Sequence, residues 1–553
     1  MGIKRILPAF LLGALFFSLI GGVEQVQALG GPPPAAVRAL YQKMSVEERV
    51  GQLFLVTFTG TDTGDKSQIH DLIANHAIGG VVLTAANDNF VAAPNTVGAA
   101  YQLISSLQQV EWNSTVSPPL DSHTGQPVPH QYVPLFIAVA QDGDGPPGDQ
   151  ILSGLTSLPS EMALGATWSP ELARQTGVVM GSELAALGIN MYLGPSLDVL
   201  ENPNPTPNND PGVTDFGGDP YWVSVMGSAY VAGLHNGSAG RLLVIAKHFP
   251  GRGSADRADE LEVATVRKSL DELKQVDLAP FFAVTGDATS SASTADGLLV
   301  SHIRYQGFQG NIRATTKPIS FDAPALSSIL AIKQFDSWRQ KGGVIVSDSL
   351  GTRAVKQFYS TGTDFPARTV ARDAFVAGND LLDLGTIVSS DQPDNYSTVL
   401  QILGFFAQKY RDDPAFAQRV DSSALRLLTT KYNLYGSLAF NDVIPDQSGL
   451  AKVGQSQQVT LNVAGSAATL LSPEARDLAS LLPNPPQVKD RLIFFTDTSQ
   501  VQQCSTCAQQ TIPDTQAFQN AVIRLYGPQS GNQSSSSFRM SSYSLKDMAD
   551  FLA

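Results

Sequence analysis

Residues 243–249, Leu-Val-Ile-Ala-Lys-His-Phe, form an apolar run that ends in a lysine and a histidine. A run that is apolar at consecutive positions predicts a strand buried on both faces, as the strands of a parallel sheet are. Further runs of this kind occur on both sides of it along the chain. The predicted strands are 51–58, 79–84, 135–142, 190–199, 243–249, 298–303, 343–349 and 380–384.

Longer segments with helical periodicity lie between these strands. The clearest of them are 68–76, 159–187, 222–235, 270–285 and 325–340. Eight strand–helix units over roughly 400 residues are typical of a (β/α)8 TIM barrel with insertions. We therefore predict an α/β protein whose residues 37–437 form such a barrel. A doubly wound open sheet is the alternative, because periodicity does not distinguish a closed sheet from an open one.

The pattern changes after the barrel. A polar stretch at 438–489 is predicted to be a linker, and residues 490–553 a partial or small second α/β module. In that module we expect a strand at 491–497, a helix at 515–521, a strand at 522–526 and a helix at 544–552. The predicted order is β-α-β-α.

The amino-terminal residues have the composition of a secretory signal peptide. Lys4 and Arg5 precede an apolar run, and Val26-Gln-Ala28 provides a small-residue cleavage pattern. We predict a signal peptide at 1–28 and a linker at 29–36, which implies a secreted or extracytoplasmic protein without a membrane span after processing. A retained membrane anchor is the alternative, although the run is short for a span.

Composition excludes some classes of partner. Hydrophobic residues make up 43% of the chain and charged residues 16%, which is ordinary for a globular protein. The formal net charge of −14 argues against nucleic acids and anionic membranes as partners. Cys504 and Cys507 form a lone Cys-x-x-Cys motif, which favours a local disulfide over a zinc site or a thioredoxin-type redox role.

Polar side chains recur where the predicted strands end. Asp142, Asp198 and Asp348 each follow an apolar run, and Lys247-His248 and Ser301-His302 do the same. Any one of these residues could cap a helix or be a satisfied core residue. Because the carboxyl ends of barrel strands emerge on one face, their recurrence predicts a site for binding or catalysis there.

Several motifs together resemble the N-terminal barrel of family 3 glycoside hydrolases, and most closely its β-N-acetylhexosaminidase branch. They occur in the family's order across roughly 400 residues. The two most specific are Lys247-His-Phe-Pro-Gly-Arg-Gly253 and Gly343-Val-Ile-Val-Ser-Asp348. The others are Met44-Ser-Val-Glu-Glu-Arg-Val-Gly-Gln-Leu-Phe54, Gly79-Gly-Val-Val-Leu83, Leu158-Pro-Ser-Glu-Met-Ala-Leu-Gly165, Gly194-Pro-Ser-Leu-Asp198, Phe216-Gly-Gly-Asp-Pro220 and Ser301-His-Ile303.

The resemblance implies an exported glycoside hydrolase that cleaves β-linked sugars, of β-N-acetylhexosaminidase or β-glucosidase type, with retention of configuration. It implies that Asp348 is the nucleophile that attacks the anomeric carbon. Lys247 and His248 would donate hydrogen bonds to sugar hydroxyls, and Asp198 would lie in the same pocket. We add Asp142 and His302 to the predicted substrate-binding residues because they also end strands.

The second catalytic group departs from the family pattern. The hexosaminidase branch carries an Asp-x-His pair on the loop after Lys-His-x-Pro-Gly, and here Ala258 and Glu260 occupy those two positions. Glu260 or Asp259 is therefore predicted to be the carboxylic acid/base, with exposed residues in a first helical turn as the alternative. The family's Asp-Gln-Glu-Gly-Gly and Arg-Ser-Phe-Gly motifs are also altered, at 140–145 and 214–217, so amino-sugar specificity does not follow.

Two functions therefore remain open at the level of sequence. The first is a retaining β-glycosidase with a carbohydrate substrate and no cofactor, since this chemistry needs no metal and the histidines lack ligand spacing. The second is a catalytically silent barrel that binds a glycan or a protein partner. Sugar and linkage specificity and the oligomeric state are not encoded in any pattern that we identify.

Overall fold

The computed structural model describes residues 32–118, 125–143, 145–146, 148–201, 212–259, 261–481, 487–528 and 537–553. Eight parallel strands form a closed barrel in this part of the chain. We label them β1 to β8 in chain order. They are β1 (Phe54–Val56), β2 (Gly80–Val82), β3 (Phe136–Val139), β4 (Met191–Tyr192), β5 (Leu243–Phe249), β6 (Gly297–Val300), β7 (Val344–Ser347) and β8 (Leu381–Asp383).

The predicted barrel is confirmed, and the sheet is closed because β8 pairs in parallel with β1. Each predicted strand overlaps an observed one, and the observed strand is usually shorter. The largest difference at the end of a strand is at β4, which stops at Tyr192 rather than at residue 199, and the largest at the start of a strand is at β1, where the prediction began at Gly51. Ser45 and Glu48 form a reciprocal capping box that starts a helix, Val46–Gly51, so the strand begins only after that helix ends.

Helices surround the barrel and bury the outward side chains of its strands. Phe54 of β1, for example, packs edge-on against Phe406, with ring centroids 5.0 Å apart. The helices up to residue 435 are Ala35–Lys43, Val46–Gly51, Gln68–Ala74, Thr96–Val116, Glu161–Ala166, Pro170–Leu187, Pro220–Gly237, Leu270–Gln275, Ala279–Ala283, Gln306–Gln309, Ala323–Leu330, Lys333–Gln340, Arg353–Tyr359, Ala367–Ala377, Asn395–Asp412 and Pro414–Tyr435. A short parallel pair, Thr265–Val266 with Arg304–Tyr305, lies outside the barrel.

Three long helical predictions are each divided in two by the structure. In the predicted 159–187 helix, the break falls before Pro170, which occupies the first helical position after the capping side chain of Ser169. Proline lacks the N–H that would continue a preceding helix, so a new helix starts there. The 270–285 segment breaks in the same way before Pro280, and the 325–340 segment breaks at 331–332.

In the carboxyl-terminal part, the first strand and both helices of the predicted module are present, but its second strand is not where it was predicted. Leu492–Thr496 and Met540–Ser544 form a two-stranded parallel sheet, and the helices are Ala517–Tyr526 and Leu545–Leu552. The predicted strand at 522–526 is wrong. Phe518, Val522 and Leu525 recur at helical spacing, so this segment continues the preceding helix.

The segment predicted to be a linker carries short helices in its described residues, namely Phe440–Val443, Gln457–Ala467 and Leu478–Leu481. Cys504 and Cys507 form the expected disulfide. It lies in a loop between Ser499–Val501 and Gln510–Ile512 that contacts the barrel, since buried Gln503 exchanges hydrogen bonds with Gln150 and Leu152 in the loop after β3.

The predicted signal peptide at 1–28 lies outside the described residues. Among the helices of the described part, none combines the length and the apolar character needed to cross a membrane.

Candidate active site

Five of the residues predicted from the sequence meet at the carboxyl-terminal mouth of the barrel. Asp142 follows β3, Asp198 follows β4, and Asp348 follows β7 directly. Lys247 and His248 belong to β5, where the strand runs past its neighbours. The closure of the eight-stranded barrel brings side chains that are more than 200 residues apart in sequence to the same mouth, as the sequence analysis predicted.

Lys247 and Asp142 form a buried ion pair in this cluster. The ammonium Nζ donates to both carboxylate oxygens of Asp142, at 2.8 and 2.9 Å, and the two side chains are 9% and 8% exposed. Removing two charges from water is costly, and their mutual contact offsets that cost. An ammonium carries three N–H donors, so Lys247 can contact Asp142 and a ligand hydroxyl together.

Asp198 is completely buried and binds the side chains of His248 and Arg252. His248 Nδ1 lies 2.7 Å from Oδ2, the Arg252 backbone N–H donates to Oδ1 at 2.7 Å, and the Arg252 guanidinium lies 3.3 Å away. Burial alone would raise the pKa of Asp198, but His248 and Arg252 lower it to about 2. Asp198 therefore stays a carboxylate and holds His248 through Nδ1, which leaves Nε2 as the ring nitrogen for a ligand.

Ser196 connects Asp198 to a second buried acid, Asp215. Its hydroxyl lies 3.0 Å from Oδ2 of Asp198 and 3.0 Å from Oδ1 of Asp215. One hydroxyl has one proton, so it cannot donate to two carboxylates at once. Burial and then the charge of Asp198 raise the pKa of Asp215 to about 7. Asp215 is thus the member that takes up a proton more readily, and in its protonated form it can donate to Ser196 while Ser196 donates to Asp198.

This arrangement predicts that Asp215→Asn becomes stabilising relative to the parent as pH rises. The folded pKa of Asp215 lies above its unfolded value of about 3.9, so the folded state holds an extra proton between those two values and loses stability as pH rises through that window. Asparagine can donate to Ser196 without titrating. The difference in free energy of unfolding should grow by a few kcal/mol, on the order of 1.4 kcal/mol per pKa unit, between pH 4 and pH 8. Urea unfolding at both pH values measures it, and a pH-independent difference contradicts the assignment.

Glu161 adds a further acid that sequence reasoning did not select. It is 1% exposed, and its Oε1 accepts from the Ser196 backbone N–H at 3.1 Å. Burial raises its pKa well above the usual range, with the charge of Asp142 adding to the rise. Glu161 begins a helix rather than ending a strand, which is why the strand-end criterion passed over it.

Asp348 and Asp383 lie side by side at the ends of β7 and β8. Asp348 is half-buried, and its Oδ1 accepts from the Ser349 backbone N–H at 2.7 Å. Burial raises the pKa of Asp383 to about 7, and the neighbouring Asp348 charge contributes to the rise. Asp383 lies at the end of the last predicted strand, 380–384. The same signal that indicates Asp142 and Asp198, a carboxylate at the end of an apolar run, is therefore present at Asp383.

His302 lies below the mouth and is 1% exposed. Its Nδ1 contacts Ser320 Oγ at 2.7 Å and its Nε2 contacts the Ser349 carbonyl oxygen at 3.0 Å, while the ring stacks on Phe321. The structure thus shows His302 holding the chain directly after Asp348. A hydrogen bond from His302 to a sugar would require one of these contacts to break, and its substrate-binding role stays a prediction.

The two predicted acid/base candidates differ in what the structure shows. Asp259 is 7% exposed and pairs with Arg252, whose Nη1 lies 3.2 Å from Oδ1. It would have to leave that ion pair before it could protonate a leaving group. Glu260 lies outside the described residues. Within the described part of the chain, no group of three or more His, Cys, Asp or Glu side chains is arranged to hold a metal ion.

Comparisons with known proteins agree with the resemblance. Residues 45–399 match the model of the glycosyl hydrolase family 3 N-terminal domain. Beta-hexosaminidase A from Pseudoalteromonas piscicida is 28% identical over 298 residues, which are 53% of this chain and 44% of that protein. Beta-N-acetylglucosaminidase/beta-glucosidase from Cellulomonas fimi is 26% identical over 446 residues, 80% of this chain and 67% of that protein.

A solved structure supports the same fold. The family 3 beta-N-acetylglucosaminidase from Paenibacillus sp. str. FPU-7 superposes with a TM-score of 0.66 at 21% identity, covering 92% of this chain and 82% of that one. The chain spans less than half the length of the Pseudoalteromonas relative. The match to the family model extends from the helix before β1 to the helix after β8, and the chain therefore belongs to glycosyl hydrolase family 3.

Proposed function

We propose that this protein hydrolyses β-linked glycosides with retention of configuration, using Asp348 as the nucleophile. The observation that carries the proposal is the place of Asp348 at the mouth of the barrel. It is half-buried at a rigid strand end and forms no ion pair with any described residue, whereas Asp142 and Asp198 are both paired. A carboxylate held in this way can reach an anomeric carbon without first breaking a contact to a cation.

The surrounding groups suit a sugar. Lys247 and His248 supply donors, and Asp142 supplies acceptors, on the strands that flank the mouth of the barrel. The named activities of the relatives from Pseudoalteromonas and Cellulomonas support a β-linked glucose or N-acetylglucosamine unit as substrate. Thr214 and Asp215 stand where the hexosaminidase branch has arginine and serine, so the cation that the branch places there is missing from this chain.

A mechanism-based trap tests the proposal. Incubation with a 5-fluoro β-glycosyl fluoride of glucose or N-acetylglucosamine should form a slowly hydrolysed ester on Asp348, because fluorine destabilises the transition state of its hydrolysis. Mass spectrometry of the peptides should show the added glycosyl mass on the peptide that contains Asp348 and not in Asp348→Asn. A label on another carboxylate, or hydrolysis of nitrophenyl glycosides without any label, counts against Asp348 as the nucleophile.

A binding protein without turnover is the second candidate. The observation in its favour is the ion pair between Asp259 and Arg252. Asp259 lies on the loop that carries the acid/base in the hexosaminidase branch, and the ion pair occupies its carboxylate. Calorimetry that detects glucose or N-acetylglucosamine binding, together with no hydrolysis across a panel of nitrophenyl glycosides, would favour this candidate. Turnover that depends on Asp348 would exclude it.

We also propose that the protein acts outside the cytoplasm. The charged-then-apolar pattern of residues 1–28 supports export, and the disulfide between Cys504 and Cys507 suits an oxidising compartment. Sequencing of the mature amino terminus tests this.

A further inference from the structure

We propose that Asp383 is the acid/base partner of Asp348: the carboxyl group that protonates the leaving oxygen and then activates water. The inference rests on the proposed function, and it deepens it by assigning the acid/base to a barrel strand rather than to the loop after β5. It depends on three features of Asp383, which are the direction of its side chain, its anchoring and its electrostatic neighbour.

Strand register places Asp383 inside the barrel beside Asp348. Phe54 of β1 points outward onto Phe406, and Phe54 is the register partner of Leu382. Side chains alternate along a strand, so Asp383 points to the opposite side, into the barrel. Leu382 is also the register partner of Ser347, which makes Asp383 the neighbour of Asp348 across adjacent strands.

The spacing suits a retaining pair. Adjacent strands lie about 4.8 Å apart, so two carboxylates that point the same way from neighbouring strands can reach the separation of about 5 to 5.5 Å that retaining glycosidases use. Asp383 is held firmly, because its backbone N–H donates to Ser347 Oγ at 3.1 Å and its Oδ1 accepts from the Gly385 N–H at 2.9 Å. Its Oδ2 accepts no hydrogen bond from a described residue, and the residue is 7% exposed. Oδ2 can therefore form a hydrogen bond with a ligand.

Burial is the larger cause of the raised pKa of Asp383, and the charge of Asp348 adds a part that changes during the reaction. Asp348 is the charged group that acts on Asp383, while the neighbouring Leu55 and Thr57 on the β1 side carry no charge. The Asp348 carboxylate favours a protonated Asp383 in the free enzyme. Once Asp348 has become a neutral ester, that effect disappears and the pKa of Asp383 falls, so the group can accept a proton.

The reaction balances with these two groups and water. In the first step Asp348 forms a bond to the anomeric carbon, the bond to the leaving oxygen breaks, and that oxygen takes the proton of Asp383. In the second step water attacks the anomeric carbon, its proton passes to the Asp383 carboxylate, and the ester bond to Asp348 breaks. Both residues return to their starting forms, and no other reactant is required.

Leaving-group dependence separates an acid/base from a positioning residue. In Asp383→Asn, kcat/KM for an alkyl or disaccharide β-glycoside should fall about 10²- to 10⁴-fold, whereas the 2,4-dinitrophenyl glycoside, which needs no protonation, should lose far less. Azide should accelerate deglycosylation in this variant and yield the β-glycosyl azide, because it enters from the face that water normally uses. The matched control is Asp412→Asn, an exposed acid on an outer helix, which should keep the parent ratio.

Each alternative result has a defined meaning. A parent enzyme that turns over in an Asp348-dependent way, with an Asp383→Asn variant that keeps the parent ratio of the two substrates, overturns this inference and leaves the proposed function standing. Azide rescue in Asp259→Asn or Glu260→Gln instead of Asp383→Asn also overturns it. A parent without turnover overturns both proposals. If Asp383→Asn does not fold, Asp383→Ala and Asp383→Ser provide the same comparison.

Discussion

Asp348→Asn is expected to lower kcat for nitrophenyl β-glycosides by roughly 10⁴-fold or more, the scale of loss when a member of a catalytic unit is removed. An amide of the same shape cannot form the glycosyl ester, so the covalent step is lost while sugar contacts persist. Because Asp348 is half-buried and pairs with no charged side chain of the described residues, the thermal midpoint should change little. Initial rates and a thermal unfolding curve on the same preparations provide the measurement.

The control for this experiment is Asp412→Asn, which changes an exposed acid at the last residue of an outer helix and should leave kcat within about twofold, since surface substitutions rarely matter. Azide added to Asp348→Ala should restore slow turnover of an activated glycoside and give the α-glycosyl azide. That is the anomer opposite to the one expected from the Asp383 variant, so product stereochemistry distinguishes the two carboxylates. Equal rates for parent and Asp348→Asn would contradict the proposed mechanism.

The largest expected effect on stability is at Asp380, the residue before β8. It is completely buried, and its carboxylate contacts three arginines. The carboxylate forms an ion pair with Arg339, and it lies 3.3 Å from Arg419 and 3.7 Å from Arg426. Asp380→Asn would leave these cations without their shared counter-charge. Breaking a buried ion pair by removing one partner costs about 3 to 5 kcal/mol. We expect a loss of that size in the free energy of unfolding, measured by urea titration at pH 7.

The pH dependence of this loss has a definite sign. Burial would raise the pKa of Asp380, but the three arginines hold it well below its usual range. The stabilisation is therefore complete above the unfolded pKa of about 3.9 and is lost as pH falls towards the folded value. Parent and Asp380→Asn should converge in acid. Glu47→Gln, which removes an exposed ion pair with Arg411, serves as control and should cost at most about 1 kcal/mol. If Asp380→Asn also lost only about 1 kcal/mol in the free energy of unfolding, the three arginines would have found other partners.

Much of the site could be predicted because its residues end strands. The apolar run at 243–249 predicts a buried strand, and Lys247 and His248 are conspicuous because charged side chains there need partners. The structure supplies those partners, Asp142 and Asp198. Asp383 shares the same signal. The sequence does not show that Asp383 lies next to Asp348, which is 35 residues earlier in the chain. Only the pairing of β7 with β8 brings the two residues together.

The sequence by itself therefore determined the order of the strands, the (β/α)8 class and the places of Asp348, Lys247 and His248 at strand ends. Local periodicity was sufficient for this, because it indicates which segments are buried strands and where each strand ends. Only the tertiary structure decided which charges neutralise one another. The proton shared through Ser196, the ion pair that engages Asp259 and the raised pKa of Asp383 all depend on distances between residues from different strands. Electrostatic energy varies with separation and burial, and neither quantity exists until the barrel closes.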